Sequence, residues 1–468
     1  MSPSRRRDGS LAIVLHTHMP FVLGHGSWPF GEEWLWEAVA TSYLPILDLL
    51  DGGAPLTLSI TPVLADQLEA PQTRELCRVF LEELRPETHR LDAAELAADG
   101  RVAEAAQIDL SAARYASAAE RWREIDGDLV GALAQHASWT SAATHQLLPL
   151  AAVDASVRLQ VQTGIASQRR RFGNWGGGFW LPECAHSPWL DRVLVESGVR
   201  STVVDWTDVL GLGTPENLTP HRSPEGLVFA PLDRQLVDLV WAGDGYPSDP
   251  GYRNHHGLTT HHHRAWANDG EPYDEQRASE IVKRDAAAFV SAVIERLNEV
   301  KGSVSDPLAV FAVDTELFGH WWHEGVDWLA AVVAEASERG LVIEQLDQAL
   351  AGRKRTASPS PLPAATSWGR SRTLETWSSP KVAEYPVRIR AAELFLRHSG
   401  AGPEALRSLL ALQASDWAFL ADAESCGEYP NERANAHLAG CLGQLESAGA
   451  DLLSTLAPDL QEAALFSP

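Results

Sequence analysis

The run from Leu308 to Val313 is apolar without a polar interruption, and it ends abruptly in Asp314, Glu316, His320 and His323. Six apolar residues followed at once by polar chemistry read as a strand buried on both faces that delivers its reactive groups at its C-terminal end. Barrels and open α/β sheets bind their ligands at that end of their strands. A second stretch, Gly178 to His186 (GFWLPECAH), has the same grammar and ends in Glu183 between aromatic and proline residues. Two carboxylates at the ends of separate strands, each among Trp and His, are what cleavage of a glycosidic bond requires. One attacks or stabilises the anomeric carbon and the other protonates the leaving oxygen.

Several partners are excluded by charge. The formal net charge is −25, so nucleic acid and anionic membranes have no electrostatic reason to approach, and a neutral substrate is favoured. Seventeen tryptophans provide flat apolar faces on which a pyranose ring can stack, although packing in the core accounts equally well for any one of them. The four cysteines form no CxxC and no disulfide framework, which points to a reducing, cytoplasmic setting. Leu11 to Leu15 is too short an apolar run for the core of a signal peptide, and no segment approaches membrane-spanning length.

Leu11 to Leu15 reads as a buried strand ending in His16-Thr17-His18-Met19-Pro20. Alternate residues on a strand face the same way, so His16 and His18 would either share one metal ion or hydrogen-bond sugar hydroxyls. A tryptophan-rich loop with Trp28 and Trp36 leads into a helix over Ala38 to Leu50, and Leu56 to Ile60 is the next strand. Residues from about 75 to 135 are rich in Ala, Glu, Leu and Arg and are expected to form a helical insertion. His145 stands alone and by itself would be a packing residue. Strands are further expected over Ser201 to Asp205, Val228 to Pro231, Leu236 to Trp241 and around Leu341 to Glu344. Between Ala242 and Asp274 lies a long polar segment carrying Tyr246, Tyr252 and a histidine cluster whose spacing fits no zinc pattern. Strands alternating with helices over residues 10 to 350 argue for a distorted β/α barrel. A Pro/Ser-rich linker at 351–366 then leads to a helical region, 367–468, containing Trp368, Trp377 and Ser415-Asp416-Trp417. Helices are expected there over Val382 to Leu396, Glu404 to Leu420 and Asn431 to Leu453.

Taken in order, His16 to Pro20, His145 with Pro149, Trp180 to Glu183 and Asp314 to Trp322 resemble the successive signature regions of glycoside hydrolase family 57. With ITPVLADQL and SDWAFL they resemble its 1,4-α-glucan branching enzymes in particular. The resemblance implies a distorted (β/α)7 barrel with a helical insertion and a C-terminal α-helical domain, acting on an α-glucan with retention and with neither metal nor cofactor. It carries the nucleophile to Glu183 and the general acid/base to Asp314. Substrate contacts are then expected from His16, His18, His145, Trp28, Trp36, Trp180, Tyr246, His320, Trp321, Trp368, Trp377, Asp416 and Trp417. Glu316 is expected either to support these groups as an acceptor or to face outward, and Tyr246 or Tyr252 to serve transfer from a loop shorter than is typical. The competing expectations are a hydrolase or 4-α-glucanotransferase on the same site, a metal-dependent hydrolase built on His16 and His18, and a glucan-binding protein without catalysis.

Overall fold

In the computed structural model, which describes residues 9–26, 30–444 and 451–466, nine strands form two sheets. The first contains β1 (Ser10–Thr17), β2 (Thr57–Ile60), β3 (Ala137–Ser141), β4 (Phe179–Trp180) and β8 (Leu308–Asp314), in the order β4-β3-β2-β1-β8 and parallel throughout. β5 (Ser201–Val204), β6 (His221–Arg222), β7 (Val228–Pro231) and β9 (Thr356–Ala357) form the second, in the order β5-β7-β6-β9.

Sparse contacts join the two sheets into a ring. Gly178 bridges Ser201 in parallel between β4 and β5, and Asp233 N–H, just past β7, donates to Val310 O in β8 at 2.8 Å. Seven parallel strands, β1 to β5 with β7 and β8, thus make a distorted (β/α)7 barrel. The strands need no polar alternation because helices cover their outer face, and β1 and the apolar part of β8 are buried along their whole lengths.

The closure corrects two sequence expectations. Leu236 to Trp241 belongs to a helix, Arg234–Trp241, whose N-cap Asp233 accepts from Gln235 N–H. A short apolar run does not by itself distinguish strand from helix, and here the cap decides. Leu341 to Glu344 forms no strand. Ile343 makes a single parallel bridge to Leu11, on the edge of β1 that β2 takes up from Val14 onward. β3, which the sequence reading missed, carries polar residues (ASWTS) that carry no strand signal of their own.

Outside the ring, helices Thr73–Val79, Arg85–Ala98 and Val102–Glu124 occupy the expected insertion. Tyr115 and Arg85 fasten it by reaching the buried carboxylate of Glu37. The Pro/Ser-rich stretch is held against the barrel: Arg353 is buried and donates to Glu344 at 3.0 Å and Asp306 at 3.1 Å, and Thr366 pairs with His186.

The helix expected over Glu404 to Leu420 is two helices, Pro403–Leu412 and Asp416–Ala423. They separate where Ala414 pairs with Gln146 and Ser415 N–H donates to His145 O at 3.1 Å. Below this break the fully buried Glu393 accepts from Gln146 Nε2 at 2.9 Å, Gln413 Nε2 at 2.7 Å and Ala152 N–H at 2.6 Å. This one carboxylate therefore ties the C-terminal helices to the loop after β3. Glu393→Ala strands three buried donors, and we expect a loss on the order of 3 kcal/mol, measured as a lower midpoint in urea unfolding, with Glu393→Gln losing less.

Candidate active site

The candidate site lies at the C-terminal ends of β1, β3, β4 and β8. In register, His16 pairs across β1–β8 with Asp314 and across β1–β2 with Ser59, so β1 sets its imidazole beside one of the two carboxylates. Glu183 follows β4 on a short 3-10 turn, Pro182–Cys184, with φ of 60°. His145 (φ 63°) and Cys184 (φ 50°) are also left-handed. Such conformations are costly away from glycine, and they concentrate at functional positions.

Glu183 receives a donor on each oxygen. Trp368 Nε1–H donates to Oε2 at 2.7 Å and Ser415 Oγ–H to Oε1 at 3.0 Å. This bond fixes the direction of a longer chain. Ser415 has a single proton and gives it to Glu183, so its oxygen accepts from His145 Nδ1–H at 2.9 Å. Burial first, then the neighbouring imidazoles, hold His145 well below the ordinary histidine range. A neutral His145 protonated on Nδ1 must accept on Nε2, from His16 Nε2–H at 2.9 Å. His16 is likewise held neutral by burial and by His18, and its free Nδ1 faces Ser59 Oγ at 3.3 Å. The network thus assigns both tautomers, and all its donors point toward Glu183. Trp180 stacks on His16, with centroids 4.7 Å apart and planes 11° from parallel, and meets Trp368 edge-on.

His18 has a different charge state. Burial disfavours its cation, yet Asp416, and more weakly Glu316 and Glu183, raise its pKa above the ordinary value. Its Nε2 meets Asp416 Oδ2 at 3.0 Å and its Nδ1 meets Thr61 Oγ1 at 3.1 Å. Glu316 is the supporting acceptor that the sequence suggested: Oε1 accepts from Tyr43 O–H at 2.7 Å and from His18 N–H at 3.0 Å. Tyr43 is delivered by a π-helical turn, Val39–Tyr43, whose Ser42 also donates to Thr315 O at 3.1 Å.

Asp314 differs from its neighbours. Among the described residues no hydrogen-bond donor reaches its carboxyl. Burial, followed by the charges of Glu316, Glu183 and Asp416, raises its pKa well above the carboxylate range. Glu183 is raised by burial to about 7, against the lowering effect of Trp368 and Ser415, and burial also takes Glu316 to about 7. The site therefore separates its carboxyl groups: donors on both oxygens favour the anion at Glu183, and nothing opposes burial in favouring the neutral acid at Asp314. A metal reading finds one possible donor set among the described residues, His18, His145 and Asp416, with atoms within 4.8 Å of one another. The nitrogens of both histidines are already engaged by Asp416, Thr61, His16 and Ser415, so an ion there would dismantle the chain that serves Glu183.

The remaining expected contacts divide by burial. Trp368 and Trp321 are half-buried, and Trp321 lies edge-on to the exposed Trp241 with centroids 6.3 Å apart. Trp36 and Trp377 are buried in the core. Trp417 donates to Ala411 O and stacks under Arg433. In these positions the three indoles have no open face for a sugar, since packing has taken the surface that stacking would use. Tyr246 packs on Trp328, and Tyr252 is fully buried with its hydroxyl on Asp285. His320 is half-buried and held neutral by burial. Trp28 lies outside the described residues. Ser415, Tyr43, Ser59 and Thr61 were not expected as site residues. Each is an isolated hydroxyl whose only sequence signal is proximity to a motif.

A barrel with a carboxylate at the ends of two strands and tryptophan near both is the arrangement of a carbohydrate-active enzyme. The sequence profile of glycosyl hydrolase family 57 matches residues 138–349. A 1,4-α-glucan branching enzyme of Thermococcus kodakarensis is 31% identical, over 92% of this chain and 72% of the relative. A probable 1,4-α-glucan branching enzyme of Mycobacterium tuberculosis is 29% identical over 92% of this chain and 90% of its own. In structure, the family 57-type branching enzyme of Pyrococcus horikoshii superposes with a TM-score of 0.88 at 28% identity, covering 98% and 97% of the two chains. The α-amylase AmyC of Thermotoga maritima shares the fold, with a TM-score of 0.82 at 21% identity over 98% and 99% of the two chains. The chain belongs to glycosyl hydrolase family 57.

Removing a donor to Glu183 favours its protonated form. Trp368→Phe and Ser415→Ala are therefore expected to move the acidic limb of the kcat/KM profile to higher pH and leave the basic limb in place, measured by initial rates on amylose across the pH range.

Proposed function

We infer that this protein is a 1,4-α-glucan branching enzyme in which Glu183 is the nucleophile and Asp314 the general acid/base. The observation that carries the chemistry is the unequal provision of the two carboxyl groups, donors on both oxygens of Glu183 and none on Asp314 among the described residues. Glu183 attacks the anomeric carbon of an α-1,4 linkage as Asp314 gives its proton to the departing oxygen, leaving a covalent glycosyl-enzyme. Asp314 then takes the proton of an incoming 6-hydroxyl, whose oxygen displaces Glu183 and forms the α-1,6 branch. Each displacement inverts the anomeric carbon, so the two steps together retain its configuration. His18 as a cation offsets the accumulated negative charge, and the half-exposed Trp321 with Trp241 offers a platform for an acceptor sugar.

Branching in preference to hydrolysis is supported by the activity named for relatives matched over 92% of the chain. A glycogen-like glucan in the cytoplasm is the setting we assign. It fits four buried, unpaired cysteines and the absence among the described residues of any helix long and apolar enough to cross a membrane.

Proton NMR of amylose treated with the enzyme, with reducing ends assayed in parallel, tests the reading. New α-1,6 anomeric signal with few reducing ends is expected. Asp314→Asn should lower the rate by roughly 10²–10⁴-fold, and Glu183→Gln should abolish the signal. Reducing ends without α-1,6 signal would make the protein a hydrolase.

A further inference from the structure

A cavity of about 430 Å³ lies between the helical insertion, the long segment after Trp241 and the turn that follows Asp314. Neither Glu183 nor Asp314 lines it. Its walls carry Arg114, Arg121, Arg253 and Arg264 together with His323, a concentration of guanidinium groups in a chain of net charge −25.

Two of the arginines form no ion pair among the described residues, although the buried Glu324, which accepts from Arg253 N–H at 3.0 Å, lies near enough for its charge to act on Arg253. Arg253 is only 6% exposed. It donates through Nη1 to Arg264 O at 2.8 Å and lies 4.0 Å over the Tyr273 ring, and its Nε meets no acceptor. Arg264 donates through Nε to His255 O at 3.0 Å. Among the described residues no carboxylate lies within ion-pair distance of either guanidinium. Burial lowers both from the ordinary arginine value. Arg114, which is paired with Glu275, donates to His323 Nε2 at 2.7 Å. Burial and then the charges of Arg253, Arg114 and Arg264 keep His323 neutral, so three guanidiniums surround one imidazole. Of the acids at the cavity, Asp48 is engaged by Arg121 and Asp327 is exposed.

Neither guanidinium is held by an ion pair, and the buried Arg253 Nε–H is left without an acceptor, so an anion in the cavity would meet both. The planar fork of arginine matches two oxygens of a phosphate group, and the volume suits a small molecule. We propose that this cavity is a binding site for a phosphate group, carried by inorganic phosphate or by a phosphorylated monosaccharide. The occupant would lie against Thr41 and Gly319. Thr41 adjoins Ser42 and Tyr43, which hold Thr315 and Glu316, and Gly319 follows the same turn.

The test is isothermal titration calorimetry of the full-length protein, without glucan, using inorganic phosphate, glucose 6-phosphate and glucose. Saturable binding of either phosphate-bearing probe is expected, undiminished when glucose is present in excess. Phosphate alone binding as tightly as the ester would identify the free anion as ligand, and tighter binding of the ester the sugar phosphate. Arg264→Gln should weaken binding at least about tenfold. Arg253→Lys, which keeps the charge and loses the fork, guards against misfolding of a less conservative variant and should also weaken it. Glu183→Gln should bind as the wild type does. Absence of saturable binding by both phosphate probes, or unchanged affinity in folded Arg264→Gln and Arg253→Lys, overturns the proposal.

Discussion

Keeping Glu183 ionised inside the protein is the constraint on which the rest of the arrangement depends. A carboxylate removed from water reverts to its neutral form unless donors meet both oxygens. Here they come from Trp368 and Ser415, both well beyond the last barrel strand. The barrel by itself therefore carries the carboxyl group without the means of keeping it charged. Docking of the C-terminal segments supplies those means, and the buried Glu393 holds the docking together by accepting from both sides of the junction.

The same burial has the opposite consequence at Asp314. Both residues sit at strand ends in one low-dielectric pocket, but only Glu183 is met by donors. Desolvation and the charges of Glu183, Glu316 and Asp416 then act on Asp314 without opposition and leave it the proton. Glu316 is a third buried carboxylate, and Tyr43 with the His18 backbone fixes its geometry. His18, whose neighbouring carboxylates favour its cation, lies among these groups. The division between anion and acid thus follows from where donors are placed.

Register explains why the histidines lie together. His16 stands opposite both Ser59 and Asp314 because β1 lies between β2 and β8 in its sheet. His145 reaches the same place from the end of β3 through a left-handed backbone. The His16 to Glu183 chain crosses four separate segments, and each bond fixes the tautomer needed by the next. Gly319, with φ of 91°, lets the turn after Asp314 approach Thr41 so closely that a Cβ would fall 1.8 Å from its carbonyl oxygen. The polar cavity and the carboxylate pocket therefore share a wall.

By itself the sequence determined the central strands, the helical insertion, the two carboxylates and the histidines at strand ends. Unbroken apolar runs that end at once in polar residues read as buried parallel strands, and those polar residues then surface at one face of the barrel. It could not distinguish a strand from a helix at Leu236 to Trp241, since six apolar-rich residues fit both periods until Asp233 is seen to cap them. Nor did it separate tryptophans that pack from tryptophans that line the site: Trp36, Trp377 and Trp417 are composed like Trp368 and differ only in what covers them. Tertiary structure alone decided which hydroxyls serve Glu183. Ser415 is 232 residues from it, and a serine has no pattern of its own. Its role exists only because a helix breaks where the C-terminal region meets the loop after β3, a junction set by long-range packing.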